Sequence, residues 1–154
     1  VNEKIPNSEL LIIGRGHLKN RLEKQAIKLG IYSSIRIDSG MPFDKLAEEF
    51  RNADLVVYPS YYEGQGLIPL EAMASGTPVA TVDHGPLPEM VDDSVGGLFT
   101  MANIDSMSSV ILSLLSDQKG LEDRGNAGRQ RVLENYTYGQ NAEKFSQIYS
   151  KLAN

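Results

Sequence analysis

The sequence predicts an α/β fold, a Rossmann-like parallel sheet covered by helices, and three observations predict it. Short apolar runs alternate with longer runs of helical periodicity, the order that places a parallel sheet between helices. The strand-like runs are continuous rather than alternating, as in Asp54-Leu55-Val56-Val57-Tyr58, which is how strands covered on both faces read. Glycine and proline punctuate the joints, where helices stop and turns begin. At 154 residues the chain suits a single domain, 1–154, with enough length to bury a substantial core.

Leu10–Ile13 is the first strand, followed by Gly14-Arg15-Gly16. Leu18, Leu22, Ala26 and Leu29 mark the inward face of a helix, and Gly30 is its C′ stop. Ser34–Ile37 reads as the second strand. Phe43–Asn52 reads as a helix with Asp44 early in it and Leu46, Ala47 and Phe50 turned inward. Asp54–Tyr58 is a buried strand that ends at the turn residues Pro59-Ser60. The next helix, Leu67–Ser75, tolerates Pro69 because its first turn needs no intrahelical N–H, and Gly76 ends it. Pro78–Val82 is a strand; beyond Gly85, Pro86 and Pro88 come a short helix at Glu89–Val91 and a minor strand at Gly97–Thr100. Three helices complete the chain: Ile104–Ser116, Gly120–Asn135 and Gly139–Leu152. The opening Val1-Asn2-Glu3-Lys4 has no initiator Met and reads as the tail of a helix, so the chain is expected to be a fragment of something longer.

Hydrophobic residues make up 41% and charged residues 23%, a globular rather than a disordered balance. A net charge of −5 argues against a nucleic-acid backbone binder, which carries a basic face, but leaves a nucleotide ligand open. The absence of cysteine excludes disulfides and thiolate metal sites and fits a cytoplasmic protein. No apolar run is long enough to cross a bilayer. His17 and His84 are single residues without a second ligand at metal spacing, so no metal is expected; His84, in a loop near Gly85, is read as a surface residue. Arg15 is read as solvated, the serines form no nucleophilic triad, and the five methionines fill core or edge gaps.

The most informative run is Glu63-Gly64-Gln65-Gly66-Leu67-Ile68-Pro69-Leu70-Glu71. It lies at the carboxyl end of a strand, where open α/β sheets collect ligands. Gly64 and Gly66 lack a Cβ, so the loop can bring bare N–H groups against a phosphate at a helix start. Two carboxylates beside a phosphate site would repel the phosphate itself; they suit hydroxyl groups on either side of it. A molecule with hydroxyls flanking a diphosphate is a nucleotide sugar. Taken singly, either glutamate reads as an ordinary loop or helix-start carboxylate. Gly14-Arg15-Gly16 lacks the further glycine of a dinucleotide fingerprint and reads as a tight turn near the site.

From Pro59 to Val79 the sequence resembles the C-terminal half of the retaining, two-domain GT-B glycosyltransferases of the large family-4 group, also called group 1. Pro59-Ser60, Glu63-Gly64-Gln65-Gly66-Leu67, Leu70-Glu71-Ala72-Met73-Ala74 and Gly76-Thr77-Pro78-Val79 carry the likeness. Pro6-Asn7, Ala53-Asp54, Asp83 to Glu89, and Tyr136-Thr137-Tyr138 extend it along the chain. The resemblance implies a donor-binding domain in glycan biosynthesis, with retention of anomeric configuration and no obligatory metal or other cofactor. It implies that Glu63 contacts the donor sugar as the catalytic carboxylate and that Glu71 accepts hydrogen bonds from the ribose. Gly64, Gln65, Gly66, Leu67 and Ile68 form the loop at the diphosphate, with the donor amides on Gly66, Leu67 and Ile68. The base lies near Met41, and Gly14 borders the site.

The same resemblance marks departures. Gln65 stands where an aromatic is usual, Pro86 where a glycine supplies a backbone donor, and Tyr138 where Trp is common. The family's first strand, ending in Gly-Arg-Leu with a nearby Lys, and its acceptor-binding N-terminal domain with an active-site His have no counterpart here. That strand would sit mid-sheet, so this stretch alone is expected to be inactive. Membrane association at the inner face would come only through the absent domain. Two other readings stand beside this one: a non-catalytic nucleotide-binding module completed by a separate chain, and a domain like that of the nucleotide-sugar 2-epimerases. The donor sugar, the base and the acceptor stay open.

Overall fold

The computed structural model describes residues 1–152, which divide into two compact units, Val1–Leu46 and the residues from Ala47 onward. In the first unit β1 (Leu10–Ile13) and β2 (Ile35–Asp38) pair in parallel, with Leu10 opposite Ile35 and Ile13 opposite Asp38. Parallel neighbours need a crossover rather than a tight turn, and α1 (Lys19–Lys28) supplies it, followed by a 3-10 turn at Tyr32–Ser34. Gly30 stops α1 as expected, in the left-handed region at φ +69°. The inward face of α1 is buried only at Ala26, while Leu18, Leu22 and Leu29 stay exposed. Two four-residue strands present too little surface to cover it. Val1–Lys4 forms one hydrogen-bonded turn, with the Lys4 and Ile5 amides both donating to the Val1 carbonyl at 2.8 and 2.9 Å.

The helix expected at Phe43–Asn52 is α2 with those bounds. Its Phe50 is buried, and the Phe50 carbonyl accepts the buried Thr77 hydroxyl at 2.5 Å. The second unit holds a parallel sheet of β3 (Val56–Tyr58), β4 (Val79–Val82) and β5 (Gly96–Phe99) in that spatial order. Tyr58 stands opposite Thr81, and Val79 opposite Gly96. The central β4 is buried along its whole length, as a parallel strand covered on both faces should be. At the sheet edge β3 is shorter than the expected Asp54–Tyr58 and only half-buried.

The crossovers of the second unit are α3 (Leu67–Ala74) and the short α4 (Leu87–Met90). Val91, expected inside the latter helix, is extended at φ −120°, ψ 127° and fully buried, so the helix starts two residues and ends one residue before its expected bounds. Ala80, Val82, Leu87, Phe99, Leu114 and Leu121 form the core between the sheet and its helices.

Helices α5 (Ile104–Leu115), α6 (Gln118–Asn135) and α7 (Tyr138–Leu152) follow. Asn103 caps α5 by accepting the Ser106 amide at 2.9 Å, and Asp117 caps α6 by accepting the Gly120 amide at 2.9 Å. The second cap explains why α6 begins before the glycine read as its start. A Thr137–Gln140 capping box starts α7, with the Thr137 amide donating to the Gln140 side chain at 2.9 Å. Gly125 of α6 lets that helix close on the end of α3, because a Cβ there would overlap the Gly76 carbonyl oxygen. Among the described residues no helix is long and apolar enough to cross a membrane.

Candidate functional site

The stretch between β3 and α3 is held at both ends. At its start the fully buried Thr81 hydroxyl donates to the Tyr58 carbonyl at 2.8 Å, tying the end of β3 to the central strand. The chain then turns through Pro59-Ser60, with the Ser60 hydroxyl donating to the Tyr62 carbonyl at 3.1 Å. Tyr61 and Tyr62 point away from the core and are exposed. At the far end Gly66 enters α3 in the left-handed region, at φ +78°.

Glu63 folds back over its own loop. One carboxylate oxygen, Oε2, accepts the Tyr58 hydroxyl at 2.6 Å; the other, Oε1, accepts the Gly64 and Gln65 amides at 3.1 and 3.4 Å. The Gly66 amide also faces it. These donors, the Tyr58 hydroxyl foremost, hold the carboxyl below the usual glutamate range and so keep it ionised. Reciprocally, burial and then the bond to Glu63 push the Tyr58 phenol up.

The two glycines of the loop have different duties. A Cβ on Gly64 would meet nothing within 4 Å, so its backbone lies open to an approaching group. Gly66 is buried, and a Cβ there would press on Leu87 Cδ2 at 2.9 Å and Met90 Cε at 3.0 Å. Its glycine is therefore favoured chiefly by backbone conformation, in addition to any ligand.

At the head of α3 no side chain caps the helix. Leu67 and Ile68 occupy its first two positions, and the buried Pro69 has no N–H to offer. Leu70 is the first residue to donate back, to the Gly66 carbonyl at 3.4 Å. The amides of Leu67 and Ile68 thus point out of the helix beside its positive end. One turn further on is Glu71, half-buried, its carboxylate without a hydrogen-bond or ionic partner among the described residues. Burial pushes its carboxyl above the usual range. The loop thus presents one carboxylate held by donors on both oxygens, with Oε2 taking the Tyr58 hydroxyl, and a second that lacks them.

Gly14 and Met41 belong to the first unit. Gly14 follows β1 and donates its amide to the Asp38 carbonyl at 2.9 Å; Met41 follows β2 after Gly40 and is half-buried. Both stand at the carboxyl ends of paired parallel strands, the side on which such sheets bind ligands. Arg15 donates to the Ser39 carbonyl at 3.0 Å from an exposed position, and His17 and His84 are exposed. Among the described residues no group of three or more His, Cys, Asp or Glu side chains could hold a metal ion. A cleft of about 330 Å³ beside β5, lined by Asp93, Ser113 and Arg124 among others, contains none of the residues singled out from sequence.

Sequence reasoning assigns Tyr58 and Thr81 only to strands. The signal for Tyr58 was a phenol at a strand's carboxyl end, five residues before a loop carboxylate.

Residues 1–131 match the family described as Glycosyl transferases group 1. The MMP alpha-(1->4)-mannosyltransferase of Mycolicibacterium hassiacum is 33% identical over 145 residues, which cover 93% of this chain and 35% of that protein. The chain thus spans about a third of the length of this curated relative. The crystal structure of the C-terminal domain of a glycosyl transferase group 1 family protein, LpcC, from Francisella tularensis superposes with a TM-score of 0.79 at 29% identity, covering 89% of this chain and 74% of that one. TarM of S. aureus, solved as a point mutant in complex with fondaparinux, alpha-GlcNAc-glycerol and UDP, gives a TM-score of 0.84 at 26% identity, covering 96% of this chain and 30% of TarM.

Proposed function

The chain belongs to the glycosyl transferases group 1 family, with the fold of a C-terminal GT-B domain, and on that premise we propose that it is the donor-binding half of a retaining transferase. The reaction moves a sugar from a nucleotide-diphosphate sugar to an acceptor held by another part of the protein. This stretch alone does not complete it. The intact enzyme works in the cytoplasm or at the inner membrane face, in glycan biosynthesis, without an obligatory metal.

The observation that carries the reading is the contrast between the two glutamates around the head of α3. Glu71 is a desolvated carboxylate that lacks donors, and a pair of ribose hydroxyls supplies them. Between the two carboxylates the Leu67 and Ile68 amides, with the positive end of α3, take the diphosphate and stabilise the charge that builds on it as the glycosidic bond breaks. Glu63 stays ionised, so it serves as an acceptor for sugar hydroxyls and a counter-charge to the cation-like sugar, rather than as a proton donor. The complex of TarM with UDP supports a nucleotide at this fold.

Calorimetry on the full-length protein tests the division of roles. With Glu71→Ala, affinity for the free nucleoside diphosphate is expected to fall roughly tenfold or more, the loss of charge-assisted bonds. With Glu63→Ala, free-nucleotide affinity is expected to hold while sugar-nucleotide turnover collapses. Equal losses in both variants for both ligands would refute the assignment.

A further inference from the structure

Glu63 sits on a loop, next to a glycine whose Cβ direction is open, and the loop's own amides hold only one of its carboxylate oxygens, Oε1. The other is held from the sheet. Tyr58 is the last residue of β3, its carbonyl is pinned by the fully buried Thr81 hydroxyl at 2.8 Å, and its ring packs against the buried core cluster. The phenol hydroxyl therefore starts from the rigid part of the molecule and reaches Glu63 Oε2 at 2.6 Å, the shortest bond the carboxylate makes. The Gly64 and Gln65 amides take the other oxygen. With one oxygen tied to the strand and the other to the loop, the plane of the carboxylate is set before any ligand arrives.

We propose that Tyr58 is a positioning residue, whose strand-anchored hydroxyl holds the Glu63 carboxylate in the orientation in which it meets the donor sugar. The inference rests on the reading of Glu63 as the sugar-side carboxylate. Preorganisation of this kind matters most in the transition state, when the sugar gains positive character and a carboxylate free to rotate would have to be ordered at that moment. The Tyr58 phenol and the backbone amides are the groups that hold the Glu63 carboxyl low, and no charged side chain contributes, so the hydroxyl has no ionic substitute. A purely structural tyrosine, filling space at the sheet edge, would act through its ring instead.

The test is a double-mutant cycle in the full-length enzyme with Tyr58→Phe, Glu63→Gln and the pair. Turnover is read with UDP-glucose or GDP-mannose, whichever the enzyme accepts, and UDP or GDP affinity is read by calorimetry. Tyr58→Phe keeps the ring, so the melting temperature and the affinity for the free diphosphate are expected to stay near wild type. Its kcat is expected to fall about tenfold or more, the scale of a hydrogen bond to a charged group, with a much smaller change in KM. In the Glu63→Gln background the same substitution is expected to have almost no further effect. If Tyr58→Phe lowers the rate equally in both backgrounds, lowers diphosphate affinity in step with the rate, or leaves kcat within twofold, the positioning role is overturned. If Glu63→Gln alone leaves turnover unchanged, the reading of Glu63 fails, and the inference fails with it.

Discussion

Gly64 and Gly66 are indistinguishable in the sequence as two spacers in a phosphate-type loop, yet the structure gives them unequal burdens. Gly64 is in open space with an ordinary φ, so a methyl group there costs the fold little. Gly66 is held at φ +78°, where an L-residue pays about 1–2 kcal/mol. The Leu87 and Met90 atoms facing it are ends of flexible side chains and can shift by a few tenths of an ångström, so the backbone penalty remains the main term. Gly66→Ala is expected to lower the stability measured by urea unfolding by about that amount and Gly64→Ala by a few tenths at most. Similar losses for the two would mean that the αL entry to α3 is not maintained in solution. At this scale the sequence showed which residues belong to the loop, because spacing and residue type are linear properties. The Tyr58–Glu63 bond was hidden, since it depends on how far the chain turns back after Pro59.

Among the elements, existence and order were legible and burial was not. Every strand and helix expected from periodicity is present, mostly within one or two residues of its expected bounds. The shifts have local causes: the Asp117 side chain starts α6 early, and Val91 leaves the helix for an extended, buried position. Periodicity names the apolar face of α1 correctly but says nothing of the area opposite it, and that face is left largely exposed. The contact between α3 and α6 was likewise invisible, because Gly125 within a helix reads as a weak position rather than as a point of close approach. It is where α6 meets the turn that ends α3. A Cβ at 125 would force backbone against backbone, which cannot yield as a side-chain end does. Gly125→Ala is expected to destabilise the fold by about 1–3 kcal/mol, the range for overpacking, despite its higher helix propensity. Differential scanning calorimetry would register it as a lower melting temperature; an unchanged or higher one would show that the two helices are not in contact at that point.

At the scale of the whole molecule, Glu63 and Asp92 respond to pH with one sign and Glu71 with the other. Glu63, held low by the Tyr58 hydroxyl, and Asp92, held low by the Ser94 hydroxyl and by Arg131, bind protons less readily folded than unfolded. The stability they contribute is complete above the ordinary values of 4.5 and 3.8 and is lost as pH falls through their depressed ones. Glu71 behaves in the opposite sense. Burial without a partner raises its carboxyl, so the folded state binds the proton more readily, and stability falls as pH rises from 4.5 through the raised value. A site that keeps one desolvated carboxylate in reserve for a ligand is thus less stable at neutral pH than the same fold without that charge. Glu71→Gln in the full-length protein is expected to raise the melting temperature at pH 7, to have little effect near pH 4, and to leave the acid limb in place. Saturating UDP or GDP is expected to stabilise wild type more than it stabilises Glu71→Gln, because only the carboxylate gains charge-assisted hydrogen bonds from the ribose. Melting curves from pH 4 to pH 8, with and without nucleotide, decide it: a difference between the two proteins that does not grow with pH would mean that Glu71 is solvated, and the case for its holding a ribose would go with it.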